Sequence, residues 1–136
     1  MCNYILKISN EFFLKVCYHI PYNTKERNIN MNKETIERIR KFKSDRDWDQ
    51  YNTPSNLAKS IVIEAAELLE CFQWDNENYD LQHVKEELAD VLIYSQNLLD
   101  ALNLDVNEIV NMKMTMNETK YPVEKAKGNA KKYDEL

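Results

Sequence analysis

One glycine and three prolines in 136 residues leave this chain with few of the residues that tight turns demand. A strand-rich fold needs turns at short intervals, so the apolar 43% of the chain has to be organised on long helices. The fold class expected is all-α, of the four-helix-bundle type, and the length suits one domain with a moderate core.

Two segments carry the helical signal and something besides: Glu64-Ala-Ala-Glu67-Leu-Leu-Glu70-Cys-Phe-Gln-Trp74 and Glu86-Glu87-Leu-Ala-Asp90-Val-Leu-Ile-Tyr94. Each sets two acids three residues apart, and residues at i and i+3 share a helix face. At about 100° per residue, Leu57, Ile61, Ala65, Leu68 and Phe72 gather into one arc. Glu64 falls on the edge of that arc, between Cys71 and Leu57, and Glu67 lies just outside it. The second arc holds Val84, Leu88, Val91, Leu92, Leu98, Leu99 and Leu102, with Glu87 between Tyr94 and Leu98 and Asp90 one step further out. When two such arcs pack, all four carboxylates are drawn toward the seam, where they repel and where an unpaired charge is costly to bury.

Within residues 53–112 twelve acids face only two lysines, Lys59 and Lys85, and neither lysine is on the right face. That span sums to -10 and the rest of the chain to +5, within a total of -5. A divalent cation is the natural partner, and an all-carboxylate set favours Mg2+, or Mn2+, over zinc or copper. Ordinary solvated surface acids are the other reading, and the spacing alone leaves both open. The overall charge argues against a generic nucleic-acid surface, while the basic flanks could hold an anion.

In chain order, residues 1–30 show only hydrophobic patches broken by Lys7, Glu11 and Lys15, with no apolar core leading to a small-residue cleavage site and no stretch fit to span a bilayer. They read as an N-terminal extension, or as a short extra element packed on a functional domain of residues 31–136. Cys2, Cys17 and Cys71 are odd in number and lack metal-site spacing, which suits a reducing cytoplasm. A first helix is expected from Asn32, as cap, to Ser44. The connection that follows carries Trp48 and Tyr51, aromatics that either plug the end of the bundle or bind something. Thr53 and Pro54 open a second helix to Trp74, and Asp80 caps a third to Leu102. Asp105 and Glu108 form a capping box for a fourth helix through Lys120, stopped by Tyr121-Pro122. The tail from Val123 reads as solvated and partly helical. His19 and His83 read as surface residues, and no set for nucleophilic catalysis is present.

Four motifs then stand in order: Trp48-x-x-Tyr51-x-Thr-Pro54-x-Asn-Leu57; Glu64-x-x-Glu67-Leu-x-Glu-x-Phe-Gln-Trp74; Glu87-x-x-Asp90-Val-Leu-Ile-Tyr94; and Lys113-Met-x-x-Asn117-x-x-Lys120-Tyr-Pro122. Together they resemble the all-α nucleoside triphosphate pyrophosphohydrolases, and among these the MazG-like branch that includes the dCTP pyrophosphatases. The resemblance runs from about residue 32 to the end, with nineteen residues between Glu67 and Glu87.

It implies a Mg2+-dependent hydrolase that cleaves a nucleoside triphosphate to monophosphate and pyrophosphate, in nucleotide-pool house-cleaning, on dCTP or a modified dNTP. By the same resemblance Glu64, Glu67, Glu87 and Asp90 would hold the metal, with Glu64 or Glu67 activating water. Lys113, Asn117 and Lys120 would contact phosphate, and Trp48, Trp74 and Tyr94 would form the base pocket. Family members assemble as dimers or tetramers, which suits the surplus apolar residues Val62, Ile63, Leu69 and Ile93. Two departures, Ile39 where some members have histidine and Tyr51-Asn52 where many have an aromatic-His pair, bear on base preference. A non-catalytic helical interaction protein that kept the fold is the alternative. A redox di-metal bundle would want a histidine at i+3 of its glutamates, and none is there.

Overall fold

The computed structural model describes residues 31–75 and 77–135. Residues 1–30, read above as an extension, lie outside them. The described elements are α1 (Lys33–Ser44), α2 (Pro54–Glu70), α3 (Leu81–Leu102), α4 (Val106–Lys120) and the single turn α5 (Val123–Ala126), with 3-10 turns at Trp48–Gln50 and Tyr133–Glu135. No strand occurs among the described residues. They divide between two compact units, one within residues 30–109 and one from residue 110 onward, so α4 starts in the first and continues in the second.

The helix starts follow local chemistry. Asn32 accepts from the Thr35 amide at 2.8 Å, Thr53 from Asn56 at 3.3 Å, Asp80 from Gln82 at 2.8 Å, and Asp105 from Glu108 at 2.9 Å. Each satisfies an amide that the first helical turn leaves without a partner. The end of α3 shows how the chain manages with one glycine. Asn103 takes the left-handed conformation (φ 51°), and the Leu104 amide reaches back to the Leu99 carbonyl at 2.9 Å, which closes the helix as a glycine commonly does.

The second helix stops four residues before the expected Trp74. The amides of Phe72 and Gln73 bond to carbonyls three residues back, tightening the last turn. Phe72 then packs edge-on to Tyr79, centroids 4.8 Å apart, and Asp75 accepts from the amides of Glu77 and Asn78 to make the turn toward α3. A tertiary aromatic contact and an aspartate turn outweigh helix propensity here.

In the first unit α2 and α3 pack on one another as a helical hairpin, and α1 packs against α3. The rows that meet are Leu57, Ile61, Glu64, Leu68 and Cys71 on α2, and Val84, Glu87, Val91, Tyr94 and Leu98 on α3, all buried or half-buried. Their spacing alternates three and four, the register of helices that cross at a shallow angle. Arg40 of α1 crosses to α3 with a two-pronged bond to Asp100, Nε at 2.9 Å and Nη2 at 2.7 Å. Gln96, itself buried, donates to the same carboxylate at 3.0 Å.

Candidate metal centre

The register that builds the hairpin also builds the site. Glu64 and Glu87 occupy positions in the packed rows that an apolar side chain would ordinarily fill, and Asp90 stands beside them. Carboxylate oxygens of Glu64, Glu87 and Asp90 lie within 4.8 Å of one another, and all three residues are half-buried. The arcs drawn from the sequence put Glu64 on an edge; the structure puts it in the seam.

The electrostatics follow from that placement. Loss of water pushes the Glu64 carboxyl up from its ordinary 4.5, and the charges of Glu67, Asp90 and Glu87 push the same way. The neighbouring Cys71 thiol is raised as well, by burial first and by Glu87 second. Among the described residues no lysine or arginine is ion-paired with any of these acids. A cluster of acidic oxygens at this spacing, half out of water and without a lysine or arginine partner, fits a hard divalent ion held by oxygen ligands. Glu67 is exposed and its oxygens stand outside the three-residue group, yet its charge reaches Glu64.

One neighbour escaped the reading of the sequence. His83, at the surface as expected, also sets Nε2 3.1 Å from Oε1 of Glu87, whose side chain is only 12% exposed. The i,i+4 spacing on one helix was the available signal.

The aromatic candidates fare differently. Tyr94 is half-buried, one turn along α3 from Asp90. Trp48 does not plug the bundle: it rides on the 3-10 turn after α1, 47% exposed, with its ring edge-on to Phe42. Trp74, off the helix because α2 ends early, is 89% exposed. In the second unit, α4 carries Lys113, exposed, Asn117, half-buried, and Lys120, whose ammonium sits 4.9 Å from the ring centroid of Tyr133. Tyr133 in turn meets Tyr121 edge-on at 6.2 Å.

A separate open cleft of about 640 Å³ lies against Arg40, Lys43, Asp49, Asp100 and Asp105. None of the four site acids lines it. Its two cations are already ion-paired, Arg40 with Asp100 and Lys43 with Asp49 at 2.8 Å, so it offers a phosphate little.

With this geometry in hand, residues 59–136 match the family model described as the MazG-like family. The chain belongs to the MazG-like family. It is 36% identical over 115 aligned residues to dCTP pyrophosphatase 1 of Mus musculus, covering 75% of this chain and 68% of that protein. The human protein of the same name matches to the same extent. Among solved structures, a pyrophosphatase from Archaeoglobus fulgidus superimposes with a TM-score of 0.59 at 40% identity, over 69% of this chain and 98% of that one. The MazG-like match takes in Glu64, Glu67, Glu87, Asp90 and the α4 residues. Trp48 lies ahead of the matched span.

Proposed function

We propose that this MazG-like protein is a nucleoside triphosphate pyrophosphatase, a hydrolase that uses Mg2+ to split a dCTP-like triphosphate into monophosphate and pyrophosphate. The observation that carries the reading is the half-buried group of Glu64, Glu87 and Asp90 with no lysine or arginine paired to it among the described residues, in a chain whose relatives bear the name dCTP pyrophosphatase.

The residues divide the work. Glu64, Glu87 and Asp90 would hold the ion. Bound there, Mg2+ would neutralise phosphate oxygens and acidify a water. Glu67, exposed beside the group, would take the proton from the water that attacks the α-phosphorus, with Glu64 as the other candidate. Lys113, Asn117 and Lys120 would offer cationic and amide donors to the phosphates and to the charge on departing pyrophosphate. Trp48, Trp74 and Tyr94 would stack on the base, at about 1–3 kcal/mol per contact. The exposed apolar side chains of α2, Val62, Ile63 and Leu69, support assembly with a second copy. We place the enzyme in the cytoplasm, residues 1–30 being an appendage to the catalytic domain.

The experiment is pyrophosphate release from a panel of canonical and modified dNTPs with and without Mg2+, beside Glu64→Gln. Release that needs the metal, ranks dCTP or a modified relative first and disappears in the variant is the expected result. No turnover on any nucleotide, with no Mg2+-dependent rise in thermal midpoint, would replace the enzyme with a non-catalytic bundle.

A further inference from the structure

Trp48 presents a physical puzzle. It is half exposed on a turn of three residues, and a large indole in that position would sample several rotamers unless something held it. What holds it is local. Asp47 takes a left-handed conformation, φ 56° and ψ 29°, that brings the chain round after α1. Gln50 Nε2 donates to the Asp47 carbonyl at 3.0 Å, and Lys43 Nζ pairs with Asp49 at 2.8 Å, tying both sides of the turn. These contacts fix the backbone but not the ring.

The ring is fixed by a stack. Phe42 meets Trp48 edge-on, with centroids 5.8 Å apart and planes 78° to one another. The Arg46 guanidinium lies over the Phe42 ring, 3.7 Å from its centroid, and 5.9 Å from the centroid of Trp48, at the outer reach of a cation–π contact. Its Nη1 also donates to the Phe42 carbonyl at 2.8 Å, near the C-terminal end of α1, where a cation is favoured and an unpaired carbonyl needs a donor. That bond immobilises Arg46 itself, so the stack is ordered before any ligand arrives.

We propose that Arg46 is a positioning residue for nucleotide binding: by holding Phe42 it fixes the Trp48 ring edge-on to that phenyl and leaves the exposed part of the indole as a preorganised platform for the base. The proposal rests on the reading of Trp48 as a base-stacking residue given above. Arginine suits the role because its flat guanidinium can lie over the Phe42 ring while Nη1 still donates to the Phe42 carbonyl; a lysine keeps the charge but presents a compact ammonium in place of the flat fork. A purely structural Arg46, needed only to finish α1, would be satisfied by any donor to the Phe42 carbonyl and would leave the indole and the nucleotide unaffected.

The test uses the full chain labelled with 5-fluorotryptophan. With only Trp48 and Trp74 present, fluorine NMR gives two resonances, and the one lost in Trp48→Phe belongs to Trp48. Wild type, Arg46→Ala and Arg46→Lys are titrated with Mg2+ and a dCTP analogue whose α and β phosphorus are joined by an imido bridge, and each is assayed on dCTP. The Trp48 resonance is expected to shift on binding in the wild type and to broaden in both free variants. Kd and KM rise roughly 3- to 10-fold while kcat stays within about twofold. If Kd, KM and the Trp48 resonance are the same in all three proteins, Arg46 does not position Trp48, whatever happens to the thermal midpoint. If calorimetry registers binding but the wild-type Trp48 resonance does not move, the platform reading of Trp48 falls, and with it the role of Arg46. The two failures are thus told apart in one titration.

Discussion

Glu64 and Glu67 are three residues apart, yet their surroundings give them different work. Glu64 sits in the seam with Glu87 and Asp90, while Glu67 stands exposed outside the group. On the function proposed above Glu64 is a metal ligand and Glu67 the proton acceptor, so losing the first should cost metal affinity and losing the second turnover. Glu64→Gln is expected to abolish the Mg2+-dependent rise in thermal midpoint together with activity, whereas Glu67→Gln keeps the rise and loses at least about 100-fold in kcat. Differential scanning fluorimetry beside a pyrophosphate assay checks both. The charge of the cluster also sets a pH dependence in the metal-free chain. The Glu64 pKa is raised above its ordinary 4.5 by desolvation and by three neighbouring acids, so the folded chain binds that proton more tightly than the unfolded one does. The stability so gained is full below about pH 4.5 and is lost as pH rises through the raised value. Asp100 is of opposite sign: the Arg40 hydrogen bond holds it below 3.8, and its contribution is present above that value and lost as pH falls through the lowered one. In EDTA the thermal midpoint should therefore climb as pH falls from neutrality through the raised Glu64 value, and fall again in strong acid. Glu64→Gln should remove the climb and keep the fall.

At the scale of the element, the helix ends were legible because their chemistry is local. Asn32, Thr53, Asp80 and Asp105 each precede an apolar pattern and each accepts from an amide two or three residues on. Asp80→Ala is expected to destabilise the hairpin by about 1 kcal/mol in urea unfolding, since α3 loses its cap. The end of α3 tests the glycine economy of the chain. Asn103→Gly, at φ 51°, should be neutral or slightly stabilising, and Asn103→Val should cost about 1–2 kcal/mol, because a branched side chain is strained in the left-handed region. The early stop of α2 was not legible. It depends on Phe72 finding Tyr79 and on the Asp75 turn, and a helical wheel carries on through Trp74 without seeing either.

On the scale of the whole molecule, the first unit is poorly supplied with interior. Leu57 is the one fully buried large side chain among the described residues, while Val62, Ile63 and Leu69 of α2 are each more than half exposed and Leu88 and Leu92 of α3 nearly so. On the assembly proposed above, a second copy of the chain covers these apolar side chains beside the candidate metal centre. Light scattering after size exclusion should give a dimer or larger for the wild type. Ile63→Glu with Leu69→Lys should shift it toward the monomer and lower the thermal midpoint. A wild type that is monomeric at micromolar concentration would leave those faces without that cover.

By itself the sequence determined the fold class, the four long helices and their caps, and the fact that two acid pairs lie near apolar faces. All of these depend on spacing within one segment, and the periods of helices make such spacing readable. Only the tertiary structure decided which acids stand in the seam, because a difference of one step on a wheel separates an edge from a packed row until the partner helix fixes the register. It also decided that Arg40 bonds Asp100 sixty residues away, that Phe72 meets Tyr79 across the turn before α3, and that Phe42 lies edge-on to Trp48. These contacts are set by how helices and turns dock or by the rotamers that docking selects, and a linear pattern carries no record of either.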